Sequence, residues 1–94
     1  MKHKINFQEK VYGVVKRIPK GKILTYKEVA KKAGSLHAFR VAGNILNKNR
    51  DPKVPCHRVI RSNGEIGGYR EGANKKIQIL RKEGIMIKNG KITP

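Results

Sequence analysis

One cysteine, Cys56, stands in the run Val54-Pro55-Cys56-His57-Arg58-Val59, and no other residue of the chain is as well placed for nucleophilic chemistry. A thiol attacks as its thiolate, and a nearby base or cation lowers its pKa from a free value of about 8.5. His57 and Arg58 put a base and a cation in the adjoining positions. Adjacency is not contact, because successive side chains of an extended stretch point to opposite faces. His57 therefore has to act through a bridging water or from a turn, and Pro55 stiffens the approach to Cys56 while removing one backbone donor. Glu83 is the candidate third member of a nucleophile, base and orienter series, since the chain keeps only 6 acids among 23 lysines and arginines. The residues alone favour a plainer reading, in which Cys56 is a small buried hydrophobe and Glu83 a solvated carboxylate at a helix end.

The elements that must position these residues are mostly helical. Asn6 and Glu9 read as an N-cap and its third-position acid, followed by Val11, Val14, Val15 and Ile18 on one helical face. Pro19-Lys20-Gly21-Lys22 ends that helix, and Thr25-Tyr26-Lys27-Glu28 is a capping-box pattern opening a short helix through Val29, Ala30 and Ala33 to Gly34. Ser35 is the next expected N-cap, with a helix from about Leu36 to Asn47 burying Ala38, Val41, Ala42, Ile45 and Leu46. Two short helices joined by a Gly-containing turn make a helix-turn-helix pattern whose second helix is free to meet DNA. A loop follows from Asn49 to Pro55. Val59-Ile60-Arg61 and Glu65-Ile66-Gly67, around the Ser62-Asn63-Gly64 turn, predict a tight or irregular hairpin. After a second loop, Gly67 to Gly72, a helix is expected from about Ala73 to Lys82, burying Ile77, Leu80 and Ile79 and closed by Gly84. Ile85-Met86-Ile87, Asn89-Gly90 and Lys91-Ile92 make a last small hairpin. The fold class expected is mainly α: a small helical domain with a winged helix-turn-helix-like arrangement and short hairpins, single over residues 1–94.

Composition narrows the partners. The chain has 94 residues and a formal net charge of +17. Such a field attracts polyanions, and lysines and arginines that displace counterions from phosphates make the binding salt-dependent, so nucleic acid is the leading partner class. A general solubility device is the alternative. No apolar run approaches the ~20 residues that span a bilayer. The start, Met1-Lys2-His3-Lys4-Ile5-Asn6, leads into no signal-peptide core. A single cysteine forms no internal disulfide and suits a reducing compartment, either the cytoplasm with its nucleoid or a nucleus. One cysteine and three dispersed histidines speak against a structural zinc, and no cofactor or metal is expected.

Several separated stretches together carry a family resemblance. Pro55-Cys56-His57-Arg58-Val59-Ile60 resembles the active-site signature of the O6-alkylguanine-DNA alkyltransferases, the methylated-DNA–protein-cysteine methyltransferases. Leu24-Thr25-Tyr26-Lys27-Glu28-Val29-Ala30, Ala38-Phe39-Arg40-Val41-Ala42-Gly43, Asn49, Gly67-Gly68-Tyr69 and Leu80-Arg81-Lys82-Glu83-Gly84 agree in order and approximate spacing, so the likeness runs from about Phe7 to Gly84. The resemblance implies a single-turnover transferase acting on double-stranded DNA that contains O6-alkylguanine, working as a monomer. It implies that Cys56 accepts the alkyl group, His57 is its water-relayed base, Glu83 orients His57, and Asn49 ties the recognition helix to the active-site turn. Tyr26 would help rotate the nucleotide and contact the base. Val59 and Tyr69 would line the guanine pocket, and the backbone near Arg70 would meet O6. Arg40 would enter the duplex in place of the flipped base, Ala38, Phe39 and Gly43 would lie on the face pressed into the minor groove, and Lys27 and Ser62 would make further DNA contacts. The physical logic holds, because an O6-alkyl carbon is out of reach inside a stacked duplex and the nucleotide has to leave it.

The likeness is not uniform. Many relatives carry a separate N-terminal domain, for which 94 residues leave no room, and Gly68 and Arg70 stand where some relatives have Asn and Ser. Gly68 and Arg70 therefore bear on which adducts fit, unless Arg70 grips phosphate instead. A related subgroup, the alkyltransferase-like proteins, binds damaged DNA without repairing it and usually has tryptophan in place of the cysteine. This chain has Cys56 and no tryptophan, which favours repair over sensing. A plain basic helix-turn-helix regulator would ignore alkylation, and a Cys–His hydrolase would need an oxyanion hole that no motif here supplies.

Overall fold

The computed structural model describes residues 6–93; residues 1–5, which hold most of the stretch read as having no signal-peptide core, and residue 94 lie outside it. Helix α1 spans Phe7–Lys16, and its cap forms as the sequence suggests, the Asn6 side chain accepting from Glu9 N–H at 2.8 Å. Val11, Val15 and Ile18 are buried. After the Pro19–Lys22 turn, strand β1 (Leu24–Thr25) runs directly into helix α2 (Tyr26–Lys32). The capping box is complete: Thr25 Oγ1 accepts from Glu28 N–H at 3.1 Å and Glu28 accepts from Thr25 N–H at 2.9 Å.

Helix α2 closes on Gly34, whose φ of 101° only glycine adopts without strain. Ser35 then donates its backbone N–H to Ala30 O at 2.9 Å, a Schellman closure. Ser35 therefore makes no side-chain cap for the next helix, contrary to the sequence expectation. Leu36–Ala38 form a 3₁₀ turn, and helix α3 covers Phe39–Asn47, three residues shorter at its start than expected. Ala42 and Leu46 are the buried pair of α3, one turn apart. Val41, expected in the core, is 51% exposed, and Ala38 is half-buried. A helix this short buries one narrow stripe, and Val41 lies with Arg40 and Asn44 on the open face.

The expected hairpin around Ser62-Asn63-Gly64 is only half right. The turn exists, with Gly64 N–H donating to Arg61 O at 3.0 Å and Arg61 N–H to Glu65 O at 2.9 Å. The main partner of strand β2 (Val59–Ile60) is nevertheless β1, in a parallel pairing of Leu24 with Val59 and Thr25 with Ile60. Glu65 bridges instead to Lys91 of the last hairpin, β3 (Ile87–Lys88) and β4 (Lys91–Ile92). Asn89 and Gly90 turn that hairpin at φ 54° and 75°, as an Asn-Gly pair allows. Helix α4 spans Ala73–Lys82 and ends at Gly84, as read from the sequence.

Two small cores result. Helices α1, α2 and α3 with Val54 and Val59 enclose one; Ile60, Ile66, Leu80 and Ile87 enclose the other. Successive residues of β2 face opposite ways, so Val59 and Ile60 each fill a different core and β2 is the seam between them. The architecture is the mainly α, winged helix-turn-helix-like class, with α2 and α3 as the helix pair and the 61–65 turn facing α3 across a groove. Its consequence for chemistry is topological. The parallel β1–β2 pair sets Tyr26, the first residue of α2, beside the segment that follows Cys56.

Candidate active site and nucleic-acid face

The turn that holds Cys56 is built from Asn49. Its side chain is buried just past α3, donating Nδ2–H to Asp51 O and Val54 O, both at 3.2 Å, and accepting from Asp51 N–H at 3.0 Å. Val54 O also accepts the Cys56 N–H at 2.8 Å. Asn49 and Cys56 thus share one carbonyl, which ties the end of α3 to the cysteine. Pro55 lies at φ −78°, ψ 66°, the inverse γ-turn geometry, which its ring favours by fixing φ. Cys56–Arg58 continue as a 3₁₀ turn, and Cys56 is half-buried.

That turn resolves the question of opposite faces. Because Cys56–Arg58 is not extended, His57 and Arg58 both reach Glu83, the C-cap of α4. His57 Nε2 lies 3.1 Å from each Glu83 oxygen. Arg58 grips the same carboxylate with two bonds, Nε–H to Oε1 at 3.0 Å and an Nη2–H to Oε2 at 2.6 Å, and donates from Nη1 to Ile18 O at 2.8 Å. A carboxylate at a helix C-terminus meets the negative end of the helix dipole, so Glu83 needs these donors. The Arg58 guanidinium, with His57 in support, holds the Glu83 carboxyl below its usual range despite burial. Glu83 is therefore an anion at neutral pH and accepts a hydrogen bond from the proton on His57 Nε2, and in a neutral imidazole of that tautomer Nδ1 is the acceptor. A side chain larger than glycine at Gly21 would put its Cβ 3.3 Å from Glu83 O and would need a left-handed φ of 87°, so the α1–β1 turn can approach this corner only as glycine.

The sequence alone marks neither Arg58 nor Lys76 as a positioning residue. Lys76 is fully buried on α4, donating to Val59 O at 2.6 Å and Gly68 O at 3.1 Å, with its ammonium 5.7 Å from the centre of the Tyr26 ring. Burial lowers its pKa to about 8, opposed by the charge of Cys56 and aided by that of Arg61. A signal was present: Lys76, Leu80 and Glu83 recur at four and three residues along one face of α4, so Lys76 shares the stripe of a buried leucine. Tyr26 and Tyr69 both titrate above the ordinary tyrosine range, through burial first and the charge of Cys56 second. Tyr26, Tyr69 and Lys76 thus converge electrostatically on the cysteine.

The other expected residues divide clearly. Val59 is fully buried beneath the cysteine turn. Arg70 turns inward, donating from Nη1 to Asn49 O at 2.8 Å with a long contact of 3.5 Å to Glu71, so its guanidinium stitches the 67–72 loop to the Asn49 hinge. Gly68 is exposed, with its carbonyl held by Lys76. Tyr26, Lys27, Phe39, Arg40, Gly43, Arg61, Ser62 and Asn63 line a groove of about 430 Å³ between α3 and the 61–65 turn. Lys27 lies 5.4 Å over the Phe39 ring, Arg40 and Ser62 are exposed, and Ala38 is half-buried just before α3. A hollow of about 440 Å³ beside α1 shares none of the expected residues. Among the described residues no cluster of three His, Cys, Asp or Glu could hold a metal, and no helix is long and apolar enough to cross a membrane.

Comparison with known proteins agrees with this geometry. Residues 6–85 match the family model of the 6-O-methylguanine DNA methyltransferase DNA-binding domain. A methylated-DNA–protein-cysteine methyltransferase of Methanothermobacter thermautotrophicus is 46% identical over 82 residues, which are 86% of this chain and 46% of that protein. A bifunctional methyltransferase/endonuclease of Picrophilus torridus is 39% identical over 89 residues, 94% of this chain and 30% of that protein. The chain thus spans half or less of the length of these curated relatives. Among solved structures, S. pombe Atl1 in complex with damaged DNA containing O6-carboxymethylguanine superposes with a TM-score of 0.82 at 33% identity, over 93% of this chain and 86% of that one. Mycobacterium tuberculosis OGT in complex with DNA gives 0.80 at 35% identity, over 87% of this chain and 51% of that one. The cysteine turn, the helix pair and the family match lead to one conclusion: the chain belongs to the 6-O-methylguanine DNA methyltransferase family, through its DNA-binding domain.

Proposed function

We propose that the chain binds duplex DNA across α3 and transfers the alkyl group of O6-alkylguanine to Sγ of Cys56, once per molecule. The observation that carries this reading is the union of His57 with an ionised Glu83 beside the cysteine turn. With Nε2 committed to Glu83, Nδ1 of His57 takes the thiol proton through a bridging water, and the thiolate attacks the alkyl carbon. The C–S bond forms, the C–O bond breaks, and its electron pair stays with guanine. Tyr26, kept protonated by its raised pKa, donates a hydrogen bond or proton to the departing base. The thioether has no hydrolytic or reductive exit.

Access requires an extrahelical nucleotide. Arg40, exposed at the start of α3, fills the vacated stack, while Ala38, Phe39 and Gly43 form the minor-groove face and Lys27 and Ser62 hold the backbone. Val59 and Tyr69 line the guanine pocket, with the backbone near Arg70 meeting O6. The chain acts as a monomer on the nucleoid of a cytoplasm or in a nucleus, where its thiol stays reduced. The names of the relatives and the DNA complexes of the structural neighbours support this reading.

The test uses a duplex with isotopically labelled O6-methylguanine. One label per protein should move to the wild-type chain and none to Cys56→Ser; equal labelling of both sinks the proposal. The similarity to Atl1, most of whose length this chain covers, favours a second reading: a sensor that binds the modified duplex and leaves the lesion in place. Tight binding with the label still on DNA after long incubation selects that reading.

A further inference from the structure

The 61–65 turn carries an ion pair that the chemistry above does not use. Arg61 Nη1 lies 3.6 Å from the Glu65 carboxylate, with side chains 61% and 44% exposed. The backbone beneath is fixed, both by the bonds within the turn and by two to the last hairpin, Ile66 N–H to Gly90 O and Ile92 N–H to Gly64 O. The stem of Arg61 runs along Gly67, where a Cβ would stand 3.3 Å from its Cγ and 3.5 Å from the Tyr26 ring. The charge of Arg61 also lowers the pKa of both Tyr26 and Lys76, so the guanidinium acts within reach of the base site. It stands on the rim of the 430 Å³ groove whose other cations are Lys27 and Arg40.

We infer that this groove seats a phosphodiester of the bound duplex, and that Arg61 clamps it by exchanging the Glu65 carboxylate for a phosphate. The inference rests on the proposed binding of duplex DNA and adds a residue and a device to it. A guanidinium fork fits phosphate and carboxylate oxygens alike, so Glu65 occupies in the free protein the place that phosphate takes in the complex. An exposed pair at this distance is weak and opens easily. Arg58 and Arg70 are bonded inward to Ile18 O, Glu83 and Asn49 O and are not available for the task. Ser62 and Asn63, on the groove wall beside Arg61, add neutral polar groups suited to the same backbone.

The test is the salt dependence of binding to an undamaged duplex, followed by fluorescence anisotropy. Arg61→Gln should reduce the slope of log K against log salt by about 0.9 and weaken binding roughly three- to tenfold near 0.1 M salt. Arg61→Lys should keep the slope, which separates a lost charge from a damaged turn. Glu65→Gln should tighten binding about two- to fivefold when Arg61 is present and much less in the Arg61→Gln background, since removing a competitor matters only if the clamp exists. An unchanged slope in Arg61→Gln, or an equal gain from Glu65→Gln in both backgrounds, overturns the inference. The duplex holds no lesion, so the outcome does not depend on alkyl transfer; a wild-type chain that binds no duplex at all removes the proposed function instead.

Discussion

Glu83 accepts from two residues, and the stronger claim on it is that of Arg58. The bidentate grip keeps the carboxylate ionised, which is what leaves His57 with a free Nδ1. Arg58→Ala should destabilise the fold by about 3 kcal/mol, since it strands a mostly buried carboxylate and the carbonyl of Ile18. Arg58→Lys should fold but slow transfer by about tenfold, because one ammonium cannot make the planar pair. Chemical denaturation and single-turnover transfer rates check both, and a wild-type rate in Arg58→Lys would deny the arginine its role. Lys76 has the opposite electrostatic problem. Its proton leaves at about pH 8 in the folded chain and near 10.5 in the unfolded one, so between these values the unfolded chain binds more protons. The stability due to this group therefore rises as pH rises through that window. Denaturation at pH 7.5 and 9.5 should show wild type gaining about 1–2 kcal/mol relative to Lys76→Met. No relative gain would mean that the ammonium is solvated.

At the scale of elements, the account depends on how α3 is joined to the cysteine. Asn49 bonds three backbone groups of the 51–54 loop from a buried site. Asn49→Ala leaves the Asp51 N–H without its acceptor and takes one of two donors from each of the Asp51 and Val54 carbonyls, and should cost about 2 kcal/mol, with transfer falling more than binding because the Cys56 turn loosens. Equal falls in both would make Asn49 a fold residue only. Arg40→Ala should weaken transfer from duplex at least about tenfold while leaving transfer from free O6-benzylguanine nearly intact, because only the duplex has a stack to fill; matched losses on the two substrates would contradict the finger role. Local rules made much of this scale legible. Asn6, Thr25 with Glu28, Gly34, Gly84 and Asn89-Gly90 set helix and hairpin ends from short-range chemistry, and the structure agrees at each. What escaped was non-local. Two-residue strands have no periodicity to read, so the parallel pairing of Leu24–Thr25 with Val59–Ile60 was invisible. Ser35 has the residue type of an N-cap but makes no side-chain cap, because its backbone N–H closes α2 instead. Lys76 and Arg58 look like surface cations among 23 others until α4 and the cysteine turn meet.

For the molecule as a whole, charge and chemistry divide the surface. A net charge of +17 gives non-specific attraction to any polyanion, which explains encounter but not selectivity. Selectivity has to come from the groove between α3 and the 61–65 turn, where Tyr26 lines the wall next to the β1–β2 pair. The family resemblance names candidate site residues that composition does not; Tyr26 and Cys56 are 30 positions apart and are brought close through one parallel strand pair. The central claim is that this convergence makes Cys56 an alkyl acceptor. Intact-mass spectrometry after incubation with a duplex containing O6-methylguanine tests it most directly. The account predicts a gain of a single methyl group per chain, located by peptide mapping to Cys56 and absent with an unmodified duplex. An unshifted mass with the lesion still in the DNA, or a methyl group found on any other residue, would contradict it.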